Sequence, residues 1–121
     1  MFVIRIGRID WWRSTHKFES HYLFDLLFPE SATEEEKEKI YNDRSPCFHA
    51  EKIERPLVLL QGDLDKVVPL EQSEEMERIL KSQGKDVKLV VFEGEGHGFT
   101  MKENILKAIE EEEALWKRTL L

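Results

Sequence analysis

Two positions in this sequence carry side chains suited to acid–base chemistry. His97 lies in Gly94-Glu95-Gly96-His97-Gly98-Phe99, directly after the apolar run Val87 to Phe92. Upstream, the apolar run Pro56 to Leu60 leads into Gln61-Gly62-Asp63-Leu64-Asp65-Lys66-Val67-Val68-Pro69. An imidazole takes up and returns a proton near neutral pH. A carboxylate on its Nδ1 fixes the tautomer and stabilises the imidazolium that forms when Nε2 is protonated. An acid after one strand and a base after the next is the second half of a Ser…Asp…His hydrolase triad read in chain order. The first half is absent. No Gly-x-Ser-x-Gly occurs, and none of the serines Ser14, Ser20, Ser31, Ser45, Ser73 and Ser82 is framed by glycines two positions away on both sides.

Asp63 and Asp65 compete for the acid role. Asp65 precedes Lys66-Val67-Val68-Pro69, where the valines can tuck under the sheet edge and Pro69 can open a helix in its first turn. Asp63 suits a turn-holding role, bonding nearby backbone N–H groups. Gly96 and Gly98 are expected to let the chain turn sharply and to leave room beside the ring. An isolated histidine would read as a satisfied loop residue. The glycine frame, the preceding strand and the matched acidic loop favour a catalytic position instead.

Other candidates are weaker. His16, His21 and His49 have no metal-ligand spacing with any Asp, Glu or Cys. Cys47 follows Pro46 rather than sitting in a strand-ending glycine turn, and reads as an idle thiol. Glu34–Glu36 and Glu110–Glu113 read as solvated helix faces. No phosphate loop or dinucleotide fingerprint is present, so no cofactor or metal is expected. The net charge of −7 over 121 residues argues against nucleic acid as a partner. No apolar run approaches the ~20 residues of a membrane span. The opening stretch, broken by Arg5 and Arg8, makes a poor signal peptide. The single cysteine fits a reducing compartment, so a cytoplasmic location is expected.

These side chains need elements to position them. Residues 15–28 read as a helix, with Phe18, Tyr22 and Leu26 on one face and Pro29 ending it. Residues 33–43 read as a short polar helix opened by a Thr33–Glu36 capping box. Pro56–Leu60 and Val87–Phe92 read as strands buried on both faces. Between them, residues 70–83 form an amphipathic helix with Met76, Ile79, Leu80 and Gln83 on one side and Gly84 at its C-terminal cap. Residues 101–119 form the last helix, with Ile105, Ile109 and Trp116 expected to face inward. The order implies a parallel β-α-β-α unit with a right-handed crossover, part of an α/β fold with an incomplete sheet. Buried parallel strands need neighbours. The isolated chain is therefore expected to fold poorly or to self-associate through an exposed sheet edge.

Several stretches together resemble the prolyl oligopeptidase family of serine peptidases, in its dipeptidyl-peptidase and acylaminoacyl-peptidase-like branch. They are Thr15-His16-Lys17-Phe18-Glu19-Ser20, Asp43-Arg44-Ser45-Pro46, the run from Pro56 to Pro69, and Gly94 to Phe99. The resemblance covers residues 15–121; residues 1–14 are an atypical N-terminal segment. It implies the C-terminal part of a catalytic domain of α/β-hydrolase fold, preceded by helices, with Asp65 as triad acid and His97 as triad base. It also implies a peptide or acyl-peptide substrate, and it places Asp43–Pro46 in the segment leading into the penultimate strand. The family's nucleophile elbow, oxyanion loop and β-propeller lie upstream and are not in this sequence. The chain is thus expected to be an inactive fragment of a late-starting product. Two other readings compete. One is a small esterase using Ser14 or Ser45. The other is a non-catalytic module that pairs its sheet edge with a partner chain.

Overall fold

Thr33 opens the first helix by a reciprocal cap. Its hydroxyl accepts the Glu36 N–H (3.3 Å), and its own N–H donates to the Glu36 carboxylate (2.8 Å). The computed structural model describes residues 28–120. The helix expected over 15–28 lies outside them except for Phe28, and so does the 1–14 segment. Helix α1, Glu34–Arg44, has three glutamates in its first turn, where the helix dipole favours negative charge. It is exposed along most of its length and anchors through buried Tyr41, whose ring meets Phe28 edge-on at 4.8 Å.

A 3₁₀ segment, Pro46–Lys52, follows and is kinked at His49. No apolar period marks Pro-Cys-Phe-His-Ala-Glu-Lys, so the sequence pattern predicts no element here. Its contribution is Ala50, 1% exposed, which enters the core. Cys47 is half-buried against the same cluster.

Strands β1 (Leu57–Gly62) and β2 (Val87–Phe92) pair in parallel, from Leu57 opposite Val87 to Gly62 opposite Phe92. The two-residue period splits their apolar side chains between the faces. Leu57, Leu59, Val87 and Leu89 meet helix α2 (Leu70–Ser82) through Met76 and Leu80, both 0% exposed. Leu60, Val90 and Phe92 meet helix α3 (Lys102–Leu120) through Ala108. Each fully buried Leu or Met stabilises by about 1.5–3 kcal/mol. Helix α2 ends as its sequence requires. Gly84 adopts φ +69°, the Gly84 N–H reaches the Lys81 carbonyl, and the Lys85 N–H reaches the Leu80 carbonyl.

Three expectations need correction. Gln83 is exposed at the end of α2, because it serves as that helix's C-terminal cap. Val67 is 37% exposed rather than tucked under the sheet, because its N–H is turned to Asp65. Ile105, Ile109 and Trp116 are 39%, 55% and 55% exposed. Helix α3 docks instead along Asn104, Ala108, Glu111 and Leu115, which form one helical stripe. Polar anchors turn the helix that way. Asn104 bonds Glu95 (3.1 Å), and Glu111 pairs with Lys88 of β2 (2.7 Å). The small Ala108 allows close approach to the sheet.

Candidate active site

Because β1 and β2 are adjacent and parallel, their carboxyl ends place two loops side by side, where an open α/β sheet gathers its functional groups. The first loop carries Asp65. Its Oδ1 accepts the N–H groups of Val67 and Val68, both at 2.8 Å. Its Oδ2 accepts the Gln61 side-chain amide at 3.2 Å and faces His97 Nδ1 at 2.9 Å. Gln61 is itself fixed, donating to the Val68 carbonyl (3.0 Å) and accepting from the Ser73 hydroxyl of α2 (2.9 Å). Burial pushes the Asp65 carboxyl up. Hydrogen bonds from Val68, His97 and Val67 outweigh it and hold the group below the usual carboxylate range. An ionised carboxylate only accepts, so Nδ1 carries the proton in this bond, and in the neutral imidazole the lone pair is then on Nε2. The Asp65 side chain is 6% exposed and that of His97 30%.

The second loop is held to the first by backbone. Asp63 does not face His97; its Oδ1 accepts the Gly94 N–H at 2.7 Å, a donor in the facing loop rather than in its own turn. The Leu64 N–H donates to the Glu95 carbonyl at 2.9 Å. Gly62 is required where the loops touch, since a Cβ there would lie 2.6 Å from the Glu95 carbonyl carbon and would overlap its oxygen. Gly94 takes the left-handed conformation, at φ +75°, while Gly96 and Gly98, whose φ values are not positive, pair antiparallel across the bend at His97. Space around Gly96 and Gly98 is open, with nothing within 4 Å of a would-be Cβ. Glu95, 1% exposed, turns its carboxylate to Thr100, Met101 and Asn104. Burial pushes that carboxyl up. The bonds from the Thr100 and Met101 N–H groups and the Asn104 and Thr100 side chains bring it below its usual value.

The Asp65 and His97 side chains thus meet, while Asp63, Gln61, Gly62 and Glu95 build the frame around them. Pattern reading did not single out the last three. The only sequence signals were a polar residue ending an apolar strand, a glycine following it, and an acid two residues before the histidine. Beside the pair runs a trough of about 500 Å³ lined by β1, His97, Phe99, Leu115 and Trp116. Among the described residues no three His, Cys, Asp or Glu side chains converge as a metal site. None of the described helices is long and apolar enough to cross a membrane.

A parallel α/β unit with an Asp–His pair beyond adjacent strand ends is an α/β-hydrolase arrangement. The sequence pattern of the prolyl oligopeptidase family matches residues 2–121, and the chain belongs to that family of peptidases. It is 41% identical over 66 residues to the uncharacterized peptidase YuxL of Bacillus subtilis, a match covering 54% of this chain and 10% of that protein. The solved puromycin-hydrolyzing peptidase of Mycobacterium tuberculosis superposes with a TM-score of 0.84 at 37% identity, over 95% of this chain and 17% of that one. An acylaminoacyl peptidase solved with Z-Gly-Gly-Phe-chloromethyl ketone matches at 28% identity and TM-score 0.63, over 68% of this chain and 14% of its own. The chain therefore spans about a tenth of the curated relative and under a fifth of these solved chains.

Proposed function

We propose that Asp65 and His97 are the acid and base of a Ser-Asp-His triad in peptide-bond hydrolysis, and that the 121-residue chain alone does not turn over substrate. The observation that carries this reading is the 2.9 Å contact between His97 Nδ1 and an Asp65 carboxylate already held by two backbone N–H groups. In this reading His97 Nε2 takes the proton of a serine hydroxyl as it attacks the scissile carbonyl. It then returns that proton to the departing amine, while Asp65 stabilises the imidazolium between the two steps. Residues 15–121 act as the C-terminal part of the catalytic domain, residues 1–14 are an atypical lead-in, and the substrate is a peptide or acyl-peptide processed in the cytoplasm.

Described serines give the small-esterase alternative little support. The Ser45 hydroxyl is buried and donates to the Tyr41 carbonyl at 2.6 Å, and Ser73 donates to Gln61. Without a nucleophile, only the residual rate from substrate binding and an oxyanion hole remains, about 10³–10⁴ over water in enzymes that retain both. The test is fluorophosphonate labelling of the purified chain. No serine is expected to label. A labelled serine whose labelling disappears in His97→Ala would replace this reading with the esterase one.

A further inference from the structure

We propose that Glu95 is a positioning residue for His97, its buried carboxylate locking the imidazole's loop onto the start of α3. The inference rests on the reading of Asp65 and His97 as an acid–base pair. A carboxylate 1% exposed is tolerated only when its lone pairs are filled. Here Oε2 accepts the Thr100 N–H (2.9 Å) and hydroxyl (3.1 Å), and Oε1 accepts the Met101 N–H (2.9 Å) and the Asn104 amide (3.1 Å). The two N–H groups lie just ahead of α3, where a helix leaves donors without intrahelical partners and presents its positive end. The same residue's carbonyl accepts the Leu64 N–H, one residue before Asp65. Glu95 is thus tied through its side chain to α3 and through its backbone to the acid's loop. His97 lies two residues further on with a 30% exposed side chain, so the loop holds the ring more than packing does.

A helix cap would contribute stability alone. A positioning residue also sets whether Nδ1 meets Asp65. The two are separated by NMR on the ¹⁵N,¹³C-labelled full chain, reading the His97 Nδ1–H resonance and the Asp65 carboxyl titration. In the parent chain the Nδ1–H is expected downfield and absent in Asp65→Asn. If the parent lacks a signal that depends on Asp65, the pair reading fails and this proposal with it. In Glu95→Gln an amide NH₂ faces donors it cannot accept from. The Nδ1–H signal is expected to disappear and the Asp65 titration to move upward, with the circular dichroism of the fold retained. Glu77→Gln, which weakens a carboxylate on the Leu89 N–H away from the site, is the control and is expected to leave both readouts unchanged. A Glu95→Gln chain that loses stability but keeps the parent's His97 and Asp65 signals would overturn the proposal. If Glu95→Gln does not fold, Asn104→Ala removes one donor of the four. It is expected to give a smaller change in the same direction, and no change would overturn the proposal equally.

Discussion

The two loops that meet at the site are held in different ways. The Asp65 loop is closed by local contacts: Asp65 bonds N–H groups two and three residues on, and Gln61 reaches only to residues 62, 65, 68 and 73. The His97 loop depends on contacts to the Asp65 loop and to the start of α3. Its Gly94 N–H binds Asp63, its Glu95 carbonyl takes Leu64, and its Glu95 carboxylate grips the start of α3. A loop closed by its own sequence survives perturbation elsewhere, whereas one held by two other elements, the Asp65 loop and the start of α3, registers each of them. The acid is therefore the fixed member of the pair and the base the adjustable one.

Gly62→Ala breaks both loops at once. Its Cβ would strike backbone, which yields less readily than a side chain, so a loss of about 3 kcal/mol is expected in urea unfolding together with loss of the Asp65–His97 bond. Next, Gly94→Ala strains only the His loop. Forcing φ +75° on a residue with a Cβ costs about 1–2 kcal/mol, and the His97 resonance is expected to shift while the Val67 and Val68 amide resonances stay in place.

Acid sharpens the same contrast. Asp65 and Glu95 both sit below their usual values when folded. A depressed carboxyl adds stability that is present above its unfolded pKa, about 4, and is lost as pH falls through the lower folded value. Stability measured from about pH 6 down to about pH 2 is expected to fall below about pH 4. Asp65→Asn should remove the Asp-loop share of that slope and Glu95→Gln the His-loop share. The smallest effect is expected far from both loops. Thr33→Ala removes the α1 cap for about 1 kcal/mol and should leave the His97 signal unchanged.

What could be read in the sequence follows the same division. The strands, α2 with its Gly84 stop and α1 with its capping box are local patterns, and each stands within a residue or two of its expected bounds. The meeting of Asp65 and His97 followed from their placement after neighbouring strands. Gly62, Gln61 and Glu95 were not legible, because their partners lie up to twelve residues away or, for Gly62, in a loop more than thirty residues on. The inward face of α3 was misread because hydrophobic period alone ignores the Asn104 and Glu111 anchors. That leaves Ile105, Leu106, Ile109, Trp116 and Leu120 exposed. We expect this surface and the β1 edge to drive self-association, read as a mass above 14.4 kDa by light scattering on a sizing column. A monodisperse monomer would contradict it.

The most direct test of the central claim compares two isosteric acid variants by the His97 Nδ1–H resonance. In Asp63→Asn the new amide oxygen can still accept the Gly94 N–H, so this variant is expected to keep the resonance, whereas Asp65→Asn is expected to abolish it with the fold intact. A resonance that survives Asp65→Asn in a folded chain would show that Asp65 is not the acid partner of His97.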